Sequence, residues 1–238
     1  MTAPAVRPIT DGLWTVPAPL TFGGLKLNTR MTVCRLSDGG LALIAPVPAT
    51  DELRGAVDAV GPVRVIVAPN LLHHLYVGDW MAAYPDAASY GASGLAAKRS
   101  ELTFTDELGP SFDEAFGAEL QRLPIAGMPK LNESLFLHHA TRSLIATDFC
   151  FHMPEATGLT GLFATLMGIK KGTKCEPAFR LLIKDKAAFR ASIKPLREVT
   201  IDHLSMCHHH VLSAGANEAL QGVLEQLKVP RCTERDGA

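Results

Sequence analysis

Apolar and polar positions alternate with two periods along this chain, and the period changes several times. In "LNTRMTVCRLSDGGLALIAPV" the residues Met31, Val33 and Leu36 lean apolar between polar neighbours, which is strand spacing. "SDGG" reads as a hairpin turn, because Asp and Gly tolerate positive φ, and "LALIAPV" as a more buried returning strand. "LWTVPAP" supplies an earlier strand. In "ATDELRGAVDAVG" the pattern becomes helical. Leu53, Val57 and Val60 share a face, Thr50 or Asp51 is placed to cap it, and Gly61 to end it. "VRVIVA" is short, β-branched and almost continuously apolar, which predicts a strand buried on both faces.

The pattern predicts a helix over "LLHHLYVGDWMAAYP", stopping before Pro85, with Trp80 and Tyr84 four apart against the core. "ASYG" is a small strand, and "SGLAAKRSEL" a helix with Ser93 as cap. The stretch from Thr105 to Glu133 has few clear periods. "ESLFLHHATRSLIATDFCF" reads as a hairpin, with His138 and His139 on solvated surface near its turn. "LTGLFATLMG" fits a core or dimer helix better than a lid. "AFRLLIKDKAAFRASIKPLRE" is one amphipathic helix or a broken pair, "VTIDHLSMC" a last strand holding a structural His203, and "SAGANEALQGVLEQL" a closing helix capped by Ser213 or Asn217. The tail from about residue 229 is expected to fray. No repeat or linker divides the chain, so one mixed α/β domain over 1–238 is the simplest organisation.

Charge narrows the function classes. A formal net charge of -1 removes the electrostatic case for nucleic acid. No apolar run reaches the roughly twenty residues of a membrane span, so no membrane partner is expected and the cytoplasm is the default location. Five scattered cysteines without a CxxC fit reduced thiols. Cys207 stands apart, because it adjoins His208, His209 and His210.

The common nucleotide, nucleophile-elbow and HExxH motifs are absent. What remains is a set of polar residues at the ends of apolar strands. His73 and His74 follow "VRVIVA", Asp148 ends "SLIATD", and His208 and His209 follow "VTIDHLSMC". Imidazole and carboxylate are common ligands of zinc, iron and manganese, and strand ends are where side chains from separate loops converge. Taken singly, each has a plain structural use: adjacent histidines can open a helix, and an aspartate after a strand can form a turn. His152 reads equally as a loop residue or a support for a ligand.

The joint order resembles the metallo-β-lactamase-like superfamily. More narrowly, "NTRMTVCRLSDGGLALIAPV", "IVAPNLLHHLYVGDWMAAYPDA", "YGASGLAAKR" and "LIATDFCF" are similar to a bacterial family of unknown function in that fold, domain of unknown function 4336. The resemblance implies an αββα sandwich, mixed sheets flanked by helices. It also exposes departures. Pro69 and Leu71 fall where the superfamily's HxHxDH motif has its first two histidines, and "PIAGMPKLNE" lacks the mid-chain histidine. The implied site holds at most one divalent metal, zinc before iron or manganese, on His73, His74, Asp148 and His208 or His209. Asn70, Asp79 or Glu133 would orient water or substrate, with Asn70 and Asp148 as the catalytic candidates. The implied activity is hydrolysis of a small ester, lactone or related acyl compound. The rival expectation is a metal-free descendant that binds a small molecule or a partner protein. A homo-oligomer is left open.

Overall fold

A computed structural model describes residues 5–175, 177–208 and 210–229. In its first half, strands β1 (Arg7–Thr10) and β2 (Leu13–Ala18) lead through a small hairpin, β3 (Thr21–Phe22) and β4 (Leu25–Lys26), to β5 (Thr29–Arg35) and β6 (Leu41–Ile44). Helix α1 (Asp51–Asp58), β7 (Val63–Ala68), α2 (Val77–Ala83), β8 (Ala88–Gly91), α3 (Leu95–Lys98), β9 (Asp106–Glu107) and α4 (Pro110–Phe116) follow. The second half contains β10 (Leu120–Pro124), β11 (Ser134–His138), β12 (Ser143–Ala146), α5 (Gly158–Leu166), α6 (Pro177–Leu181), α7 (Lys186–Ile193), β13 (His203–Met206), β14 (Val211–Leu212) and α8 (Ala216–Gln226). One sheet runs β1-β2-β5-β6-β7-β8-β9 and the other β10-β11-β12-β13-β14.

Strand alternation builds the layers. Ala42 and Ile44 of β6, with Val65 and Val67 of β7, meet Phe136 and Ile145 of the second sheet in a core between the sheets. Their neighbours Leu41, Leu43 and Ile66 face the other way and pack on Leu53, Val57, Trp80 and Leu95 from the helices. Leu144 and Leu204 do the same for the second sheet, against Phe189, Ile193, Leu220 and Val223. A two-residue period sends successive side chains to opposite faces. The strands are thus buried on both sides, and the architecture is the expected αββα sandwich.

Thr50 caps α1 by accepting a hydrogen bond from the Leu53 amide. Trp80 is fully enclosed, stacks on Tyr84, and donates its indole N–H to the Val47 carbonyl at 2.7 Å. Trp80→Phe is expected to leave that carbonyl without its partner and lower stability by about 1–3 kcal/mol. A shift in the urea midpoint at constant slope would register it.

Several expected elements differ in detail. Helix α2 begins at Val77, so residues 71–76 form turns rather than its first turns. Helix α3 starts from Gly94 in the left-handed region instead of from a Ser93 cap. The predicted amphipathic segment is a broken pair, α6 and α7, and Asp185 caps the second by accepting from the Ala187 and Ala188 amides. Gly215 precedes α8, while Asn217 accepts from the Ile201 amide instead of capping. His138 is buried, with its ring nitrogens 2.9 Å from the Arg35 carbonyl and 2.8 Å from the Thr141 hydroxyl; only His139 is exposed. The expected fray beyond Val229 lies outside the described residues.

Candidate functional site

Three loops supply the site. Strands β12 and β13 are parallel, with Ala146 opposite Met206, so both chains leave the sheet at the same end. The Cys207 amide donates to the Ala146 carbonyl, which extends the pairing by one more step. Asp148 and His208 follow directly. From the other sheet, β7 ends at Ala68 and the chain turns through Asn70 to His73. The Ser134 amide donates to the Pro69 carbonyl and the Leu71 amide to the Leu131 carbonyl, fastening this loop across the sandwich.

At the centre, Asp148 Oδ1 lies 3.4 Å from His73 Nε2 and 3.4 Å from His208 Nε2. One ligand atom from each of the three residues lies within 4.8 Å of the other two. The two imidazole rings sit 5.1 Å apart. His208 Nδ1 is 2.8 Å from the Asn28 carbonyl and donates to it, which fixes the ring with Nε2 facing Asp148. Phe151 stacks flat on that ring at 5.2 Å.

A buried amide–carboxylate pair holds the loops. The Asn70 side-chain carbonyl accepts from the amides of Leu72 (2.8 Å) and His73 (2.7 Å). This Asx-type turn, with the hydrogen-bond pattern of a helix N-cap, fixes the backbone from Asn70 to His73 ahead of α2. The Asn70 amide nitrogen lies against Asp148 Oδ2 at 2.9 Å, Thr147 Oγ1 at 3.0 Å and the Glu133 carboxylate. Glu133 also accepts from the backbone amides of Thr147 (3.0 Å) and Asp148 (3.2 Å) and from the Thr147 hydroxyl. Glu133 therefore shapes the Asp148 turn while Asn70 shapes the His73 turn, and the two grip each other.

Burial and charge set the protonation of this group. Burial raises the Glu133 carboxyl, and the Asp148 charge raises it further, to about 7. Asp148 itself is opposed by burial, but the His73 charge and hydrogen bonds from His208 and His73 hold it far below the usual carboxylate range. His73 is likewise opposed by burial. Cys207 and Asp148 outweigh that and push its imidazole well above the ordinary value. Without a cation, the three-residue group is an imidazolium–carboxylate cluster.

Not every expected residue joins it. His74 is nearly enclosed, with Nδ1 at 3.1 Å from an Arg99 nitrogen that also donates to the His74 carbonyl. Burial and the neighbouring Lys98 and Arg99 lower its basicity, and it is not brought into the ligand group. Asn70, expected to orient water or substrate, is completely enclosed with its amide spent on protein partners. Asp79 is exposed in the first turn of α2. His209 lies outside the described residues. His152 approaches His210 edge-on at 5.1 Å, and neither belongs to the ligand group. The Cys207 thiol donates to the Arg30 carbonyl at 3.2 Å and also hydrogen-bonds His73, so the cysteine beside the histidine run does bear on the site.

A family model described as "Domain of unknown function (DUF4336)" matches residues 10–160. The chain belongs to the DUF4336 family. No curated protein matches the sequence. Among solved structures, a metallo-β-lactamase from Pontibacter korlensis is similar at 14% identity and a TM-score of 0.64, covering 95% of this DUF4336 chain and 100% of its own. TMB-1, from a study of residues in substrate and inhibitor binding, is 9% identical with a TM-score of 0.59, covering 96% and 100%. The DIM-1 metallo-β-lactamase is 8% identical with a TM-score of 0.61, covering 94% and 97%. These likenesses establish the metallo-β-lactamase fold for this DUF4336 chain.

Proposed function

We propose that the protein holds one divalent metal ion, zinc before iron or manganese, between His73, Asp148 and His208, and hydrolyses a small ester, lactone or related acyl compound. The convergence of two imidazole nitrogens and one carboxylate oxygen within 4.8 Å carries this reading. The donor set fits zinc, which takes histidine and aspartate ligands, and three protein ligands leave a fourth position open to water. His208 would bind through Nε2, since Nδ1 is tied to Asn28. Asp148 would bind through Oδ1, since Oδ2 is held by Asn70. The fold relatives named as metallo-β-lactamases support hydrolysis over other metal chemistry.

When bound, such an ion polarises an acyl carbonyl and lowers the pKa of its water. The chain's own residues hold the ligands in place. Asn70 acts as a positioning residue, fixing the His73 turn and the idle oxygen of Asp148. Glu133 holds the Asp148 backbone. His74 and His209 are not needed for a three-ligand centre.

A second reading rests on a different observation. Asp148 lies between both imidazoles, so the cluster satisfies its own charges without a cation. This favours a metal-free descendant binding a small molecule or partner protein.

Elemental analysis separates the two readings. The untagged protein, stripped with chelator and incubated with zinc, is expected to retain about one ion per chain and to unfold at higher temperature than the stripped form. No retained zinc and an unchanged unfolding temperature would reject the metal reading.

A further inference from the structure

Helix α5 turns an apolar face to solvent. Leu159, Leu162 and Leu166 are 63%, 57% and 71% exposed. Their spacing of three and four places them on one stripe. The opposite face, Thr160, Gly161 and Ala164, is buried. The helix is docked from below: the Lys26 amide of β4 donates to Thr160 Oγ1 at 2.9 Å, and Ala164 packs into a small cluster with Met153 and Ile169. The same hairpin exposes Phe22 to 70%.

Three lysines follow the C-terminal end of this helix. Lys170 Nζ donates to the Ala156 carbonyl at 3.0 Å, at the buried side of the helix. The Lys174 side chain lies over Gly168, where a Cβ would come within 2.8 Å of its ammonium. Lys171 is exposed between them. Residues 158–190 carry seven Lys or Arg and two Asp or Glu, a net +5 in a chain whose total is -1.

We propose that α5 and its lysine-rich flank dock the protein peripherally on an anionic lipid surface. Leucines on one helix face and lysines beside them match the two layers of such a surface, acyl chains below and phosphate headgroups above. A second copy of the chain is a poorer occupant, because it would bring a like-charged flank to the same place. Among the described residues no helix is long and apolar enough to cross a membrane, so the contact is with the surface only.

The buried face of α5 is linked to the ligand group through Phe151. Phe151, stacked on His208, packs against the same small cluster as α5, together with Leu27, Phe163 and Met167. Leu72 and Leu75, on the loop that carries His73, are also about half exposed. The docking itself does not depend on a bound metal.

Vesicle co-sedimentation of the full chain tests this. The wild type is expected to pellet with an equal mixture of phosphatidylcholine and phosphatidylglycerol roughly tenfold better than with phosphatidylcholine alone, and to be released by salt. The triple change Leu159→Ser, Leu162→Ser, Leu166→Ser should abolish pelleting, and Lys171→Glu with Lys174→Glu should remove the preference for the anionic lipid. All five side chains are exposed at their outer ends, so thermal unfolding and zinc content should match the wild type, which keeps this test separate from that of the metal. Equal pelleting with both vesicles, no pelleting, or wild-type pelleting by the serine variant would overturn the proposal. So would a leucine-dependent dimer in sedimentation velocity without vesicle binding, or binding to polyglutamate but not to vesicles.

Discussion

Asp148→Ala is expected to empty the metal site and destabilise the fold together. Among the described residues Asp148 lies between both imidazoles, with Oδ1 at 3.4 Å from each Nε2. It is also the only anionic member of the ligand group. Losing even a partner behind a metal ligand costs about 10- to 100-fold in affinity, so losing the anionic ligand itself should cost at least about a hundredfold. In the metal-free form the variant leaves a buried imidazolium without its carboxylate. Breaking such a pair from one side costs about 3–5 kcal/mol. Competition with a chromophoric chelator measures the first effect, and urea unfolding in excess chelator the second. A variant that holds zinc as tightly as the wild type would remove Asp148 from the ligand set. An unchanged urea midpoint would show that the ion pair contributes nothing. Asp148→Asn keeps the shape and one carbonyl oxygen, and should fall between the two.

Glu133→Ala should be nearly as damaging, although Glu133 is not in the ligand group. Its fully buried carboxylate accepts from the Thr147 amide, the Thr147 hydroxyl, the Asp148 amide and the Asn70 side chain. Truncation orphans buried donors at about 1–3 kcal/mol each, so a total loss of roughly 3–6 kcal/mol is expected after partial relaxation. The loops carrying His73 and Asp148 would lose their common anchor, and zinc affinity should fall about 10- to 100-fold. A stable variant with wild-type zinc affinity would show that the anchor is dispensable.

The same carboxyl gives a pH signature. Its folded value, about 7, lies above the ordinary 4.5, so the folded state binds more protons than the unfolded state between these values. Stability of the metal-free protein should therefore fall as pH rises from about 4.5 to 7, with no further contribution from Glu133 above that window. Asp148, depressed in the fold, acts oppositely: its contribution is present above its ordinary value of 3.8 and is lost as pH falls further. In Glu133→Gln the slope between 4.5 and 7 should flatten. Chelator-treated protein unfolded in urea across that range would show it, and an equal slope in both proteins would contradict the assignment.

Much of the layering was legible because it is local. Strand runs such as "VRVIVA" and the helix capped by Thr50 are written in neighbouring residues, and the strand-end positions of Asp148 and His208 follow from them. The choice between His73 and His74 was not legible. It is made by the Asn70 turn, and Asn70 is held by Glu133 from 63 residues away. Glu133 itself sat in a stretch without clear periodicity, and nothing nearby marks it as the buried anchor. The burial of His138 was hidden for a like reason, since its partner is the carbonyl of Arg35, 103 residues earlier. The exposed stripe of α5 has a core-like composition, and only the placement of Thr160, Gly161 and Ala164 reveals which face is covered.

The spans across the ligand group have a kinetic meaning. Asn70 meets Asp148 across 78 residues, and His208 meets the Asn28 carbonyl across 180. Closing such long loops is slow and comes after local structure has formed. The donor set consequently exists only in the finished chain, and a half-synthesised or half-folded molecule has no equivalent place for an ion. Loading is then a late event. Zinc supplied during refolding should leave the folding rate unchanged and slow the unfolding rate instead.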